Sequence, residues 1–389
     1  MATGTHPVLN ETGRAAHIPW YLWCSALAVT SVSICGRWDV SWHESIGRDT
    51  FWTPAHIAIY LCGVLAGIVC GYLILNTTFR RPPELVASSV HVLGFMGPLG
   101  AFLAAWGGIA MLTSAPFDNW WHNAYGLDVK IISPPHTLLM LGSNAVEVGS
   151  LFLIMAAMNR AEGQKRLFGH LQGLVLYLSG LMLMAIMFFC TEFTRDVLLH
   201  TSVPYFVVSI GVPLCFATVW TASCHRWAST WITAIYTAGI MAFILILPLF
   251  PAEPKLGPVY QPVTHFVPPQ FPLLLIVPAI LLDLLWQRMG TGNKVLTAVL
   301  SGPLFVLTLV GVEWPFASFL MTKASENRFF ATGYHPYAVP PWSASVTRHF
   351  IHLGHGLMLW KGLGRAALCA AISTWIGLML GGWMRKVQR

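Results

Sequence analysis

The chain has 389 residues, of which 56% are hydrophobic and only 10% are charged, and its formal net charge is +7. Soluble globular domains carry about 25% charged residues, so the polar side chains here are too few to cover a water-soluble core of this size. The composition therefore excludes an ordinary soluble protein. It predicts a protein that uses the lipid bilayer as its solvent.

Ten apolar segments follow one another along the chain, each close to the 20 or so residues that a helix needs to cross the hydrocarbon core. Helices are expected because they satisfy their own backbone hydrogen bonds in lipid. We therefore predict an all-α, polytopic membrane helical bundle of about ten transmembrane helices. The predicted spans are 18–36, 52–76, 90–113, 136–158, 168–190, 200–222, 229–249, 271–287, 295–321 and 366–384.

Lysine and arginine are concentrated in alternate connections, which indicates the orientation of the bundle. They follow the second, fourth, sixth, eighth and tenth spans. Because positive residues stay on the cytoplasmic side, we predict N-in and C-in, in a bacterial inner membrane with the other loops towards the periplasm. Residues 1–17 would be a cytoplasmic lead-in, 18–160 two helical hairpins with four spans, and 161–389 a six-span C-terminal membrane region with long outer loops. The scattered basic residues predict no nucleic-acid partner.

One polar pattern occurs twice, once in each of the first two hairpins. Its members are Trp38, Asp39, Trp42, His43, Gly47, Asp49, Pro54 and His56 in the first copy, and Phe117, Asp118, Trp121, His122, Gly126, Asp128, Pro134 and His136 in the second. In both copies the first aspartate precedes the first histidine by four residues, the glycine by eight and the second aspartate by ten. Repeated spacing in a repeated context indicates an internal duplication.

The residue types of this pattern predict a metal site in each hairpin. Aspartate and histidine four residues apart project from one face of a helix, and the proline before the last histidine favours a new helix start. The hairpin would bring that histidine back beside the first pair. Two imidazoles and one carboxylate with open coordination positions suit copper, iron or zinc. Asp49 and Asp128 are predicted to orient the ligand histidines by hydrogen bonding.

The segment 48–56, RDTFWTPAH, makes the first copy more specific. It resembles the Arg-Asp-Thr-x-x-Thr-Pro-Ser-His stretch of the C subunit of copper membrane monooxygenases, the family of particulate methane, ammonia and short-chain hydrocarbon monooxygenases. Asp39, His43 and His56 match that family's Asp-x3-His-x12-His set. Asp118, His122 and His136 match the spacing of its Asn-x3-His-x13-His set, with aspartate in place of asparagine. The resemblance covers about residues 18–160.

The resemblance implies copper- and O2-dependent hydroxylation of a small apolar substrate, a short hydrocarbon or ammonia, with a quinol as reductant. It also implies partner subunits, including one with cupredoxin-like domains. The residues alone leave iron and zinc open as the metal, and they identify no catalytic residue. Two other functions stay open. The chain could be a non-enzymatic membrane protein that binds or transports copper, or a structural subunit that retained its ligands.

Three weaker signals lie outside the repeat. His349, His352 and His355 have the spacing of one helix face and form a candidate accessory metal site, although a solvated or interfacial helix face explains them more simply. Glu147 and Glu313 lie within predicted spans, where acidic residues are costly and usually functional. Glu147 is about three helical turns beyond His136, which fits either a proton path or a buried pairing with a neighbouring helix.

Overall fold

A computed structural model of the chain describes residues 17–47, 50–126, 132–253, 263–290, 292–332, 334–335 and 356–388. Several predicted features lie outside these described residues. They are residues 1–16 of the lead-in, the two orienting aspartates and the histidine run: Asp49, Asp128, His349, His352 and His355.

Helices account for nearly all of the regular structure. Within the described residues they are α1 (Trp20–Ser45), α2 (Pro54–Arg80), α3 (Pro83–Val86), α4 (Leu99–Tyr125), α5 (Pro134–Arg160), α6 (Lys165–Thr194), α7 (Val203–Ser223), α8 (Ala228–Ile246), α9 (Ile276–Met289), α10 (Lys294–Leu320) and α11 (Leu357–Met384). Two short 3-10 turns, Leu247–Leu249 and Lys323–Ser325, and two strands, β1 (Val90–Val92) and β2 (Phe95–Gly97), complete the described elements.

Eight of the described helices are long and apolar enough to cross a membrane, namely α2, α4, α5, α6, α7, α8, α10 and α11. This confirms the all-α polytopic membrane bundle. Helix α1 has 26 residues but carries Arg37, Asp39 and Glu44 in its second half. Helix α9 has only 14 residues, or about 21 Å of helix, which is shorter than a hydrocarbon core of about 30 Å. The total of ten spans stays a prediction.

The third span begins later than the sequence predicts. Residues 90–97 form an antiparallel hairpin in which Val92 pairs with Phe95. Its two-residue loop has positive φ at Leu93 (50°) and Gly94 (85°), the pattern of a type I′ turn. The apolar valines of this segment therefore belong to strands. Helix α4 starts only at Leu99 and continues to Tyr125, so that Asp118 and His122 lie on the helix.

The two hairpins that carry the repeat pack side by side through glycines. A Cβ atom on Gly108 of α4 would lie 2.6 Å from the carbonyl oxygen of Gly63 in α2. One on Gly107, on another side of α4, would lie 2.6 Å from the carbonyl oxygen of Gly142 in α5. Small residues allow membrane helices to approach this closely. Helix α4 is therefore held between α2 and α5, and the repeat-bearing ends of α1, α2, α4 and α5 come together.

Candidate metal centre

The first copy of the pattern brings three ligand-type side chains together. Nε2 of His56 lies 3.2 Å from Oδ1 of Asp39, and Nε2 of His43 lies 3.8 Å from Oδ2 of the same carboxylate. One ligand atom from each of the three residues lies within 4.8 Å of the other two. The side chains are half-buried, so the group is sheltered but reachable. This arrangement can hold a metal ion.

Local backbone chemistry explains how the three residues meet. Asp39 and His43 occupy the last two turns of α1, which ends at Ser45. Gly47 then adopts a φ of 96°, a conformation that glycine reaches without steric cost, and the chain leaves the helix. Pro54 is the first residue of α2, where its missing N–H costs no hydrogen bond, and His56 follows two residues later. The short connection returns His56 to Asp39.

The second copy repeats the backbone construction, but among the described residues only the first set has three ligand atoms that all lie within 4.8 Å of one another. Nε2 of His122 lies 3.4 Å from Oδ2 of Asp118, and Nε2 of His136 lies 3.4 Å from Oδ1. Gly126 ends α4 with a φ of 89°, and Ser133 caps α5 by accepting a hydrogen bond from the backbone N–H of His136. Nδ1 of His122 is 3.3 Å from the carbonyl oxygen of Gly126. Such a contact would leave Nε2 as the ring nitrogen that could bind a metal.

The donor chemistry fits a metal ion in both sets, and the spacing of all three ligand atoms fits one ion in the first set. Histidine and carboxylate ligands lie about 2.0–2.2 Å from a bound transition metal, so two ligands of one ion are about 3–4 Å apart. The nitrogen-to-oxygen distances of 3.2–3.8 Å in both sets are in this range. Oδ1 of Asp39 is buried and accepts no hydrogen bond from any described residue, although an imidazole nitrogen lies beside it. A buried carboxylate oxygen in this position needs a cation or a proton.

Both sets open on one cavity of about 210 Å³. It is lined by Asp39, His43 and His56 of the first set and by Asp118 and His136 of the second. Its wall is largely apolar and includes Val32, Ile59, Leu139, Met184, Phe188 and Phe189. The two hairpins therefore contribute to a single chamber, and one small molecule could reach both donor sets.

The structure adds lining residues that the spacing pattern did not predict. Arg37, Tyr60 and Asn144 line the cavity, and helix α6 closes one side with Met184 and Phe188. The guanidinium of Arg37 stacks 4.7 Å above the ring of Phe188. The sequence offers a signal for Asn144 alone, since it lies eight residues after His136 on the same helix face. The contribution of α6 depends on tertiary packing.

The loop that follows α8 covers the C-terminal end of α1. Ser41 donates a hydrogen bond to the carbonyl oxygen of Val267 (2.6 Å), and the N–H of Val267 donates to Ser45 (2.8 Å). Trp38 and Trp42 pack against the buried side chains of this loop, among them Phe266. The loop after α8 thus holds the end of the helix that carries Asp39 and His43.

A second, smaller cavity of about 60 Å³ lies next to the first, and Arg37, Val40 and Phe188 line both. Its polar groups include Glu44, Glu192, Arg195 and His335. Arg195 pairs with Glu44 at 2.9 Å and so joins the C-terminal ends of α6 and α1. His335 is buried, and its Nε2–H donates a hydrogen bond to the carbonyl oxygen of Pro268. Burial lowers the pKa of His335 because the protonated ring would lose its hydration.

No protein-family model, curated protein or solved structure matches this chain. The resemblance to copper membrane monooxygenases therefore rests on the motifs of the first two hairpins.

Proposed function

We propose that the chain is a copper- and O2-dependent membrane monooxygenase, or a C-subunit-like component of one, that hydroxylates a small apolar molecule. Asp39, His43 and His56 would hold one metal ion. Asp118, His122 and His136 would hold another. The single observation that supports this proposal most is the chamber that both donor sets share.

The chamber suits the chemistry in three ways. Its wall of valine, isoleucine, leucine and phenylalanine side chains favours an apolar substrate over water. Each donor set supplies three ligands and leaves coordination positions open. The volume of about 210 Å³ admits a small substrate together with O2. Tyr60 and Asn144 add a few polar groups, as is usual for a site that orients a small ligand.

The overall reaction consumes O2, two electrons and two protons. One oxygen atom enters a C–H or N–H bond of the substrate, and the other leaves as water. A bound copper ion would supply the redox chemistry with O2, and a hydroquinone-class reductant would supply the electrons. The protein would exclude bulk water, orient the substrate and provide the protons. Partner subunits, including a cupredoxin-like one, are part of this proposal.

One observation favours a second candidate, a membrane protein that binds or transfers copper without catalysis. The thioethers of Met140 and Met184 line the cavity beside the donor sets. Thioethers are soft ligands that select Cu(I). A copper-handling protein would place them along the path of the ion, whereas an oxygenase would use them only as apolar wall.

Metal analysis of the purified protein tests the metal sites. We expect His43→Ala and His122→Ala each to lose the metal of one set, and the double variant to lose both. His170→Ala is the matched control, since His170 is exposed on α6 and lies outside both donor sets. An unchanged metal content in the double variant would contradict the proposal.

Oxygen uptake then separates the two candidates. The copper-loaded protein, in membranes with its natural partners, is given a hydroquinone with a short alkane or with ammonia. A monooxygenase consumes O2 in proportion to substrate hydroxylated, and the activity disappears in His43→Ala. Retention of copper without substrate-dependent O2 uptake would favour the copper-binding alternative.

The proposed orientation places both donor sets on the periplasmic side of a bacterial inner membrane. It rests on the arginine and lysine residues at the opposite helix ends, such as Arg80, Arg160 and Lys165. Reporter fusions at residues 163 and 199 test it. A reporter that is active only in the cytoplasm should be active when fused at residue 163. A reporter that is active only in the periplasm should be active when fused at residue 199. The reverse result would overturn the orientation.

A further inference from the structure

Helix α5 presents one continuous face to the cavity that the two donor sets share. His136, Met140, Ser143, Asn144 and Glu147 all line it, at the spacing of a single helical stripe. The eleven residues from His136 to Glu147 correspond to about 16 Å along the helix axis. The cavity therefore extends from the second donor set inward to a carboxyl group in the middle of the bundle.

Glu147 is an unusual residue for that position. It is only 5% exposed, and its Oε2 accepts no hydrogen bond from any residue that the structure describes. A carboxyl group that served only to join two helices would have a donor on each oxygen, because an unsatisfied buried acceptor is costly. Glu147 lines a cavity large enough for several water molecules.

Glu313 provides the contrast within the same chain. It is equally buried, at 1% exposure, and also lies in a predicted membrane span. Its Oε2 accepts a hydrogen bond of 3.1 Å from the backbone N–H of Leu274, and Glu313 does not line the metal cavity. Glu313 thus has a structural bond that ties α10 to the segment before α9. Oε2 of Glu147 has no such bond from a described residue, and Glu147 lines the cavity.

The other titratable groups around the cavity leave Glu147 without a compensating cation. Helix α1 contributes Arg37, whose guanidinium donates to the carbonyl oxygen of Met184 and stacks on Phe188. Helix α6 contributes only apolar or uncharged side chains to the lining. The remaining titratable groups near the cavity or near Glu147 are Asp39 and His43 of α1, His56, Tyr60 and Cys62 of α2, Asp118 of α4 and His136 of α5.

We propose that Glu147 is the proton-donating residue of the cavity, passing protons to the donor sets through cavity water along the α5 face. The inference rests on the proposed function, because O2 reduction there needs two protons for each water molecule formed. The carboxyl O–H of Glu147 gives its proton to cavity water, and the carboxylate is protonated again before the next turnover. The electrons come from the same hydroquinone-class donor. Ser143 and Asn144 lie between Glu147 and His136. Both donate to the carbonyl oxygen of Met140, and their side-chain oxygens offer acceptors for cavity water.

The first test uses copper binding and needs no turnover. Copper is added to the metal-free protein, and the infrared difference spectrum is recorded in H2O and in D2O. Because positive charge at the donor sets favours the ionised carboxylate, we expect the carbonyl stretch of a protonated carboxyl to change on copper binding. The change should be absent in Glu147→Gln and retained, at a shifted position, in Glu147→Asp.

Glu313→Gln is the matched control and should give the wild-type spectrum, since glutamine keeps the acceptor for Leu274. Identical difference spectra for the wild-type protein and Glu147→Gln, with copper bound in both, would overturn this inference and leave the proposed function standing. Failure of the wild-type protein to bind copper at all would overturn the proposed function, and this inference with it.

The second test uses turnover. We expect substrate-dependent O2 uptake to fall on the order of 10²-fold in Glu147→Gln, the usual effect of removing a proton-transfer group, and to recover in part in Glu147→Asp. The pH profile should move in Glu147→Asp, which a purely structural role would not cause. Equal rates and equal pH profiles for the wild-type protein and Glu147→Gln would contradict the role.

Discussion

The second donor set has an aspartate, Asp118, at the position where the family that it resembles has an asparagine. The set therefore carries an additional negative charge. Its two oxygens each lie 3.4 Å from an imidazole nitrogen. A carboxylate in this position attracts a divalent cation more strongly than an amide does, because the group carries a full charge at short range.

We expect Asp118→Asn to weaken metal binding at the second set at least tenfold, or about 1.4 kcal/mol. The affinity of the first set should stay the same, since its ligands come from α1 and α2. Metal titration of the purified variant, followed by the absorption or paramagnetic signal of copper, measures both. Equal affinities of the wild-type and variant second sets would show that Asp118 is not a ligand.

The burial of His335 leads to a prediction about how the stability of the fold depends on pH. Burial lowers its pKa in the folded protein, and the nearby Glu44 carboxylate opposes this effect in part. In the unfolded chain the pKa is about 6.5. As pH falls below that value the unfolded chain takes up the proton first, so this contribution to stability is lost between pH 6.5 and the folded pKa.

His335→Gln should remove this pH dependence while keeping a donor for the carbonyl oxygen of Pro268. The measurement is the apparent melting temperature in detergent between pH 5 and 8, relative to the wild-type protein. His170→Gln, at an exposed position, is the control and should follow the wild-type curve. A His335→Gln curve parallel to the wild-type one would contradict the assignment.

The donor residues could be predicted from the sequence because their geometry is mostly local. The four-residue separation of Asp39 and His43 fixes a common helix face, and Pro54 fixes where the next helix begins. The sequence could not predict that Arg37 contacts Phe188, because that contact joins helices about 150 residues apart. Nor could it distinguish a hydrogen-bonded Glu313 from a cavity-facing Glu147, since both are single acids in apolar segments.

At the scale of elements, the hydropathy pattern located the eight long apolar helices but not their ends. Helices α1 and α4 continue beyond their apolar parts, to Ser45 and Tyr125, because helical hydrogen bonding does not stop where side chains become polar. Those extensions carry the first aspartate and histidine of each set. The hairpin at residues 90–97 was predicted as membrane helix because valine-rich segments are equally apolar in strands and helices.

The contact between α4 and α5 leads to a prediction at the same scale. A methyl group on Gly107 would meet the carbonyl oxygen of Gly142 at 2.6 Å and the backbone nitrogen of Val146 at 2.8 Å. We expect Gly107→Ala to separate the two helices, to lower the melting temperature and to weaken metal binding at the second set.

Gly71→Ala in α2 is the matched control, because a methyl group there would meet no atom within 4 Å. It should leave the melting temperature and metal content unchanged, or raise stability slightly by favouring helix. If Gly107→Ala behaved like Gly71→Ala, the close approach of α4 and α5 would be wrong.

At the scale of the whole molecule, the cavity depends on more of the chain than the two hairpins that carry the repeat. Four repeat-bearing helices supply the donor sets, α6 completes the wall, and the loop after α8 fastens the end of α1 through Ser41 and Ser45. Metal bound to these sets would connect α1 with α2 and α4 with α5. It would therefore oppose separation of the helices from one another.

Metal binding should accordingly stabilise the folded protein. A ligand that binds only the folded state at a hundred times its dissociation constant contributes about 2.7 kcal/mol. We expect copper to raise the apparent melting temperature in detergent, and a chelator to reverse the effect. The increase should be smaller in His43→Ala and in His122→Ala, and it should vanish in the double variant, while His170→Ala keeps the full increase. An equal increase in the double variant would mean that copper stabilises the protein from somewhere other than these two sets.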